Sequence, residues 1–382
     1  MFRTVDAYFE PIDIFQKIGE RKSELSDQDL GFICGLIKEK RPEKIVELGV
    51  SAGGTSCVIM NCLEKLGIDS KVFSVDVSYT YHYDTSKRCG FQIDDAAKYL
   101  HHMENHVLML GKSIAQVIEK IGHNIDMLIL DTIHYLPGEL LDFLICLPYL
   151  SKDAVIILDD LIFAHTGENT NAIATKVLFD LLVGEKVFPS GDGACPKMGG
   201  VLLNEDTRKY RSNYFSGLLM PWWYPLGPDD METYRGVLER HYEKGEMEFF
   251  DEAVRINTET LQKKENVKTK LQNLLQICEG EKEAVVYGVG QRGLALGRFL
   301  RERTGKAVSH VISDNRNKED FTESNAVIYH LSEIAEQKDK YQILVAAAGS
   351  EIRENLMKQN IGYIDVPNYV FPFIKEYERL LH

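Results

Sequence analysis

Between residues 44 and 203 the hydrophobic positions fall in short unbroken runs, most of them closed by glycine or an acidic residue. The runs at 45–50, 71–77, 107–110, 125–131 and 154–160 carry little polar alternation. They have the length and composition of strands buried on both faces. Between them the apolar residues recur at helical spacing, as in Val58, Ile59, Cys62, Leu63 and Leu66, and again at 139–147. Strand alternating with helix predicts an α/β fold with a parallel, doubly wound sheet. Two more runs, 186–188 and 200–203, are separated by a Gly/Pro-rich stretch too short for a crossover helix. They predict an antiparallel hairpin at the sheet edge, and a seven-stranded, mostly parallel sheet in all.

The flanks read differently. Residues 1–40 are expected to form an N-terminal helical cap, with Ser26-Asp27-Gln28-Asp29 as N-cap and acidic first turn, and Leu30, Ile33, Cys34 and Ile37 on one face. Residues 41–205 hold the sheet. Residues 206–280 read as an aromatic loop, 210–228, and a charged helical connector from about Asp230 to Cys278, which permits a homodimer. Residues 281–382 restart a strand–helix pattern on the scale of a small Rossmann-like domain.

Composition narrows the class. The formal charge of −14 argues against a nucleic-acid backbone or an anionic membrane as partner. The seven cysteines are scattered and form no C-x-x-C, which suggests reduced core thiols and a cytoplasmic setting. No signal peptide is expected at the N-terminus, and no apolar run reaches the length of a membrane span.

Candidate chemistry gathers where the strands end. Lys44-Ile45-Val46-Glu47-Leu48-Gly49-Val50-Ser51-Ala52-Gly53-Gly54 reads as a strand, a glycine-rich turn and a helix start. Such a turn lets the main chain approach a ligand and offers it free N–H groups. Its spacing is not the dinucleotide G-x-G-x-x-G. The other strand ends supply Asp76, Gly111-Lys112-Ser113, Asp131 and Asp159-Asp160. Asp76, 22 residues after Gly54, is placed to accept ribose hydroxyls.

Glu47-x-Gly49-x-Ser51-x-Gly53-Gly54 resembles motif I of the class I S-adenosylmethionine-dependent methyltransferases, in the variant of the cephalosporin-hydroxylase-like and macrocin-type O-methyltransferases. Asp126 to Tyr135, with Asp131 and His134, resembles that group's fourth-strand segment, and Ile156-Ile157-Leu158-Asp159-Asp160 its fifth-strand end. The similarity spans roughly residues 40–205. It implies that Glu47, Gly49, Ser51 and Gly53, with Gly54 beside them, face the methionine part of the cofactor. Asp76 would hold the ribose and Ser113 would lie near the adenine, with Asp131 also at the cofactor. Ser51 replaces the more usual glycine, and the segment 79–88 departs from the pattern.

Methyl transfer to a hydroxyl asks the protein to align two reactants and take a proton. His134 is the candidate general base, with Asp131 beside it. Asp131, Asp159 and Asp160 are an alternative Mg²⁺ site. The acceptor is expected to be a sugar hydroxyl on a glycan precursor or a related small molecule, by analogy with the domain combination. Gly288-Val289-Gly290-Gln291-Arg292-Gly293 is a true G-x-G-x-x-G followed by Asp314, and it resembles Rossmann-like domains appended to bacterial surface-polysaccharide enzymes. Two rival readings follow. One is an NAD(P)-dependent sugar oxidoreductase using that turn. The other is a non-catalytic binding protein on a methyltransferase fold.

Overall fold

The structure, a computed structural model, describes residues 3–20, 23–165, 170–191, 197–321, 326–346, 350–367, 370–371 and 374. The chain divides into two compact units, Met1–Leu261 and Gln262–His382. The first contains β1 (Arg3–Val5), β2 (Lys44–Leu48), β3 (Lys71–Asp76), β4 (Thr80–Tyr81), β5 (Asp84–Arg88), β6 (His106–Leu110), β7 (Ile125–Leu130), β8 (Leu150–Leu158), β9 (Glu185–Pro189) and β10 (Gly199–Leu202). Eight of these form one sheet in the order β1-β9-β10-β8-β7-β2-β3-β6, while β4 and β5 pair separately.

The central strands β6, β3, β2, β7 and β8 are parallel, and β10 runs antiparallel to both β8 and β9. The hairpin is therefore present, but it is not the edge. β1 pairs parallel with β9, Arg3 opposite Val187 and Val5 opposite Pro189, and makes an eighth strand. Three residues, one of them charged, leave no hydrophobic period to read.

Both faces of the sheet are covered, which is why its strands are apolar runs. Along β7, Leu128 and Leu130 join Val46, Leu48, Ile156 and Leu158 in one core against the helices Ile114–Ile121, Gly138–Cys146 and Ala174–Leu181. Met127 and Ile129 point the other way, with Ile45, Val155 and Ile157, against the helices Asp27–Lys40 and Gly54–Leu66. Helix Asp27–Lys40 opens on a capping box: the Asp29 N–H donates to Ser26 Oγ at 3.2 Å and the Ser26 N–H to Asp29 Oδ2 at 3.0 Å.

Beyond the sheet lie the stretches expected to be an aromatic loop and a helical connector. Arg211–Gly217 is helical inside the aromatic stretch, because Tyr214 and Phe215 are fully buried, the Tyr214 hydroxyl donating to the Thr207 carbonyl at 2.8 Å. The helical region is two helices, Pro228–His241 and Lys244–Glu279. They break where Tyr242 turns extended and its buried hydroxyl donates to the Leu144 carbonyl.

The second unit holds β11 (Glu283–Tyr287), β12 (Ser309–Ile312), β13 (Ile328–His330), β14 (Tyr341–Val345) and β15 (Tyr363–Asp365). All pair parallel, in the order β13-β12-β11-β14-β15.

Candidate active site

A cavity of about 1200 Å³ lies over the carboxyl ends of the first sheet's central strands. This is the crevice where open α/β sheets bind ligands. One wall is the turn after β2. Gly49 has φ +92°, and a Cβ there would lie 1.7 Å from the Asp131 carbonyl oxygen, so main chain meets main chain across β2 and β7. Ser51 is left-handed at φ +51°, a conformation that normally favours glycine, and its hydroxyl donates to Glu24 Oε1 at 2.5 Å. Asp76 ties the turn down: Oδ2 accepts from the Val50 and Ser51 N–H groups at 2.9 and 3.2 Å, and Oδ1 from Ser78 N–H at 2.8 Å. Gly49, Ser51, Gly54, Asp76, Ser113 and Asp131 all line the cavity.

Glu47 and Gly53 do not line it. Alternation along β2 sends Glu47 to the face covered by helix Gly54–Leu66, where it is 1 % exposed and its Oε2 accepts from the Ser56 and Ser74 hydroxyls, each at 2.5 Å. Burial lifts its carboxyl to about 7. A Cβ on Gly53 would come within 2.8 Å of Ile93 and 3.0 Å of Gly90, so this glycine serves packing.

The opposite wall is ionic. His134 Nδ1 lies 3.1 Å from Glu139 Oε1 and 3.1 Å from Thr175 Oγ1, while Nε2 lies 3.2 Å from Asp160 Oδ2 and 3.9 Å from Asp131 Oδ1. The Thr175 hydroxyl in turn donates to Glu139. Burial alone would push the imidazole down. The hydrogen bonds to Asp160 and Glu139 and the nearby negative charge overcome it and lift His134 to about 11. Both ring nitrogens face acidic partners, so the surroundings favour the charged imidazolium, which weighs against the expected role of His134 as general base. A base must have a lone pair to offer.

Asp131 is held differently. Burial, then the charge of Asp159, holds its carboxyl well above the usual range, and its nearest cationic neighbour is 3.9 Å away. Asp160 is different: burial opposes it, yet His134 and Lys197 keep its carboxyl below the usual range. Asp159 rises to about 7, chiefly through burial, despite Lys197 at 3.3 Å.

Those contacts also bear on the metal reading. Asp131, Asp159 and Asp160 line one cavity, but Lys197 Nζ sits 3.3 Å from both Asp159 Oδ2 and Asp160 Oδ1, and His134 engages the other oxygen of Asp160. Two side-chain cations stand where an Mg²⁺ would need free carboxylate oxygens. Among the described residues no three His, Cys, Asp or Glu side chains are grouped to hold a metal ion. The arrangement does not fit the expected triad.

Several members of this wall were not singled out in the sequence. Glu139 and Asp142, three apart in an otherwise apolar helix start, had a visible signal: two acids on one face of a buried segment. Asp142 accepts from the Tyr234 hydroxyl at 3.1 Å and the Thr132 hydroxyl at 3.3 Å, and burial lifts it to about 7. Thr175 and Lys197 carried no local signal. Tyr135 lines the cavity and stacks on Trp223 at 5.3 Å between centroids. Cys195 lies outside the described residues; the other six cysteines are buried and free.

A mostly parallel sheet with one antiparallel strand inserted near its end, a glycine turn after its central β2 and a cavity over the strand ends together define a Rossmann-like α/β domain. Residues 46–161 match the family model described as a methyltransferase domain. Comparison with curated proteins gives no match. Among solved structures, the chain is similar to the O-methyltransferase TomG of Streptomyces achromogenes in complex with SAM, at 12% identity and a TM-score of 0.37, over 51% of this chain and 88% of that one. An O-methyltransferase from Bacillus cereus in complex with SAH gives 13% and 0.37, over 50% and 89%. A cmcI structure with Mg and SAM gives 18% and 0.31, over 45% and 69%. Among the described residues no helix is long and apolar enough to cross a membrane.

Proposed function

We propose that the protein is an S-adenosylmethionine-dependent O-methyltransferase acting on a hydroxyl of a sugar, a glycan precursor or a related small molecule. The observation that carries this is one cavity shared by the glycine turn and the half-buried carboxyl of Asp131. Gly49, Ser51, Gly54, Asp76 and Ser113 are the residues that would hold the cofactor: the turn and the opening of helix Gly54–Leu66 offer main chain, and Asp76 still has lone pairs for a ribose. S-adenosylmethionine in such a cradle supplies a methyl group on a positively charged sulfur.

The chain's own part is positioning and proton transfer. Asp131 accepts the proton of the acceptor hydroxyl as the new carbon–oxygen bond forms, and His134⁺ with Lys197⁺ compensates the surrounding carboxylates. Asp142, Asp230, Tyr224 and Tyr234 line the same cavity, with Tyr135 backed by Trp223. Hydrogen-bonding groups beside aromatic faces suit a polyhydroxylated ring.

Calorimetric titration of S-adenosylhomocysteine tests the reading. Wild type should bind one equivalent, and Asp131→Asn should lose about 100-fold or more in kcat while keeping that affinity within a few-fold. Absence of S-adenosylhomocysteine binding would overturn it.

A further inference from the structure

The second unit has a cavity of its own, about 410 Å³, at the switch point of its sheet, where the chain order runs from β11 to β12 on one side and to β14 on the other. Its lining includes Tyr287, Gly288, Gly290, Gln291, Arg292 and Gly293. Two of the three glycines have structural reasons. Gly288 has φ +116°, and a Cβ on Gly293 would lie 2.2 Å from the Gly288 carbonyl oxygen, where helix and strand meet. Gly290 has neither. Its φ is −75°, and a Cβ built there meets nothing within 4 Å. It is the N-cap of helix Gln291–Thr304, a position where Ser, Thr, Asp or Asn would cap the exposed N–H groups. Leaving it bare keeps those donors open to the cavity.

Three further observations point to a ligand. Tyr287 is 3 % exposed and lines the cavity, and its hydroxyl has no hydrogen-bond partner among the described residues. In a chain of net charge −14 this lining, among the described residues, contains no carboxylate and includes Arg292, which stacks on Phe371 at 5.5 Å. At the end of the neighbouring β12, the exposed Asp314 is oriented by Ser332, whose N–H and O–H donate to Oδ1 at 3.0 and 2.8 Å.

We propose that this cavity binds the diphosphate of a nucleoside diphosphate, with the phosphates on the N–H groups at the start of helix Gln291–Thr304 and the ribose toward Asp314. Among the described residues, β14 and β15 are the only strands on that side of β11, which leaves no second nucleotide half there.

Titration of the full chain with ADP, UDP, NAD and inorganic pyrophosphate tests this. ADP or UDP should bind, more tightly than pyrophosphate and no more weakly than NAD. Gly290→Asp suits the N-cap backbone, so the fold should hold by circular dichroism, and its carboxylate should weaken nucleotide binding by at least about tenfold. Gly290→Ala, with no charge, should weaken it less. No binding of ADP or UDP at millimolar concentration, pyrophosphate binding as tightly as either, NAD binding tenfold tighter, or wild-type affinity in folded Gly290→Asp would each overturn the proposal.

Discussion

Asp142→Asn is expected to remove a pH-dependent loss of stability. Asp142 is 8 % exposed in the helix Gly138–Cys146, and burial holds its carboxyl at about 7 against an ordinary 3.8. Between those values the folded chain keeps a proton that the unfolded chain has released. Stability therefore falls as pH rises through the window. For this one group the loss between about pH 5 and about pH 8 is roughly 3 kcal/mol, from about two units of pH at 1.4 kcal/mol each before the folded carboxyl ionises. The asparagine is neutral throughout and can keep both neighbours, accepting from Tyr234 and donating to Thr132 Oγ1. Both tryptophans, Trp222 and Trp223, lie in the first unit, so urea unfolding followed by their fluorescence reports on that unit alone. Wild type should lose about 3 kcal/mol more than Asp142→Asn between the two pH values, the titrations they share cancelling. A difference below about 1 kcal/mol would refute the claim that burial perturbs this carboxyl.

His134→Gln removes a cation between Glu139 and Asp160 and should cost about 3–5 kcal/mol near neutral pH. Because the folded value of His134 is raised to about 11 from 6.5, its contribution is complete below 6.5 and is lost as pH rises toward 11, so the cost of the substitution should shrink at alkaline pH in the same fluorescence assay. Lys197→Met leaves Asp159 and Asp160 with less compensation, and its melting temperature should fall more at about pH 8 than at about pH 5; an equal fall would show that the ammonium is not paired with them. Gly49→Ala should prevent accumulation of folded protein, because a left-handed φ and a Cβ 1.7 Å from a carbonyl oxygen coincide. Gly67→Ala, left-handed at φ +58° but with nothing within 4 Å, should cost only about 1–2 kcal/mol by urea unfolding.

The parallel core was legible because strands buried on both faces must be apolar throughout, and the hairpin because 189–199 leaves no room for a helix. β1 was not legible, since its three residues owe their strand state to Val187 and its neighbours far along the chain. Glu47 shows the difference between finding a motif and orienting it. Its place at a strand end was readable, but its direction depends on which face the cavity occupies, and period-two alternation puts it with Ser56 and Ser74. The surroundings of His134 were beyond any local pattern. They bring together Glu139 from the next helix, Thr175 from 41 residues on and Asp160 from another strand end.

The ionic wall also constrains the acceptor. His134 and Lys197 are already matched with Glu139, Asp160 and Asp159, so they are not free to receive an anionic substrate. Among the described residues, Asp131, Asp142 and Asp230, lining the same cavity, have no cation within ion-pair reach except His134 Nε2 at 3.9 Å from Asp131. A carboxylate or phosphate brought among them would find no such partner in a partly desolvated space, where its charge is least screened. Under the proposed reaction a neutral hydroxyl would meet Asp131, a group with spare lone pairs and, once ionised, a raised affinity for a proton. On that reading the imbalance that makes Asp131 hard to ionise would make it the stronger proton acceptor once ionised, with no proton asked of His134.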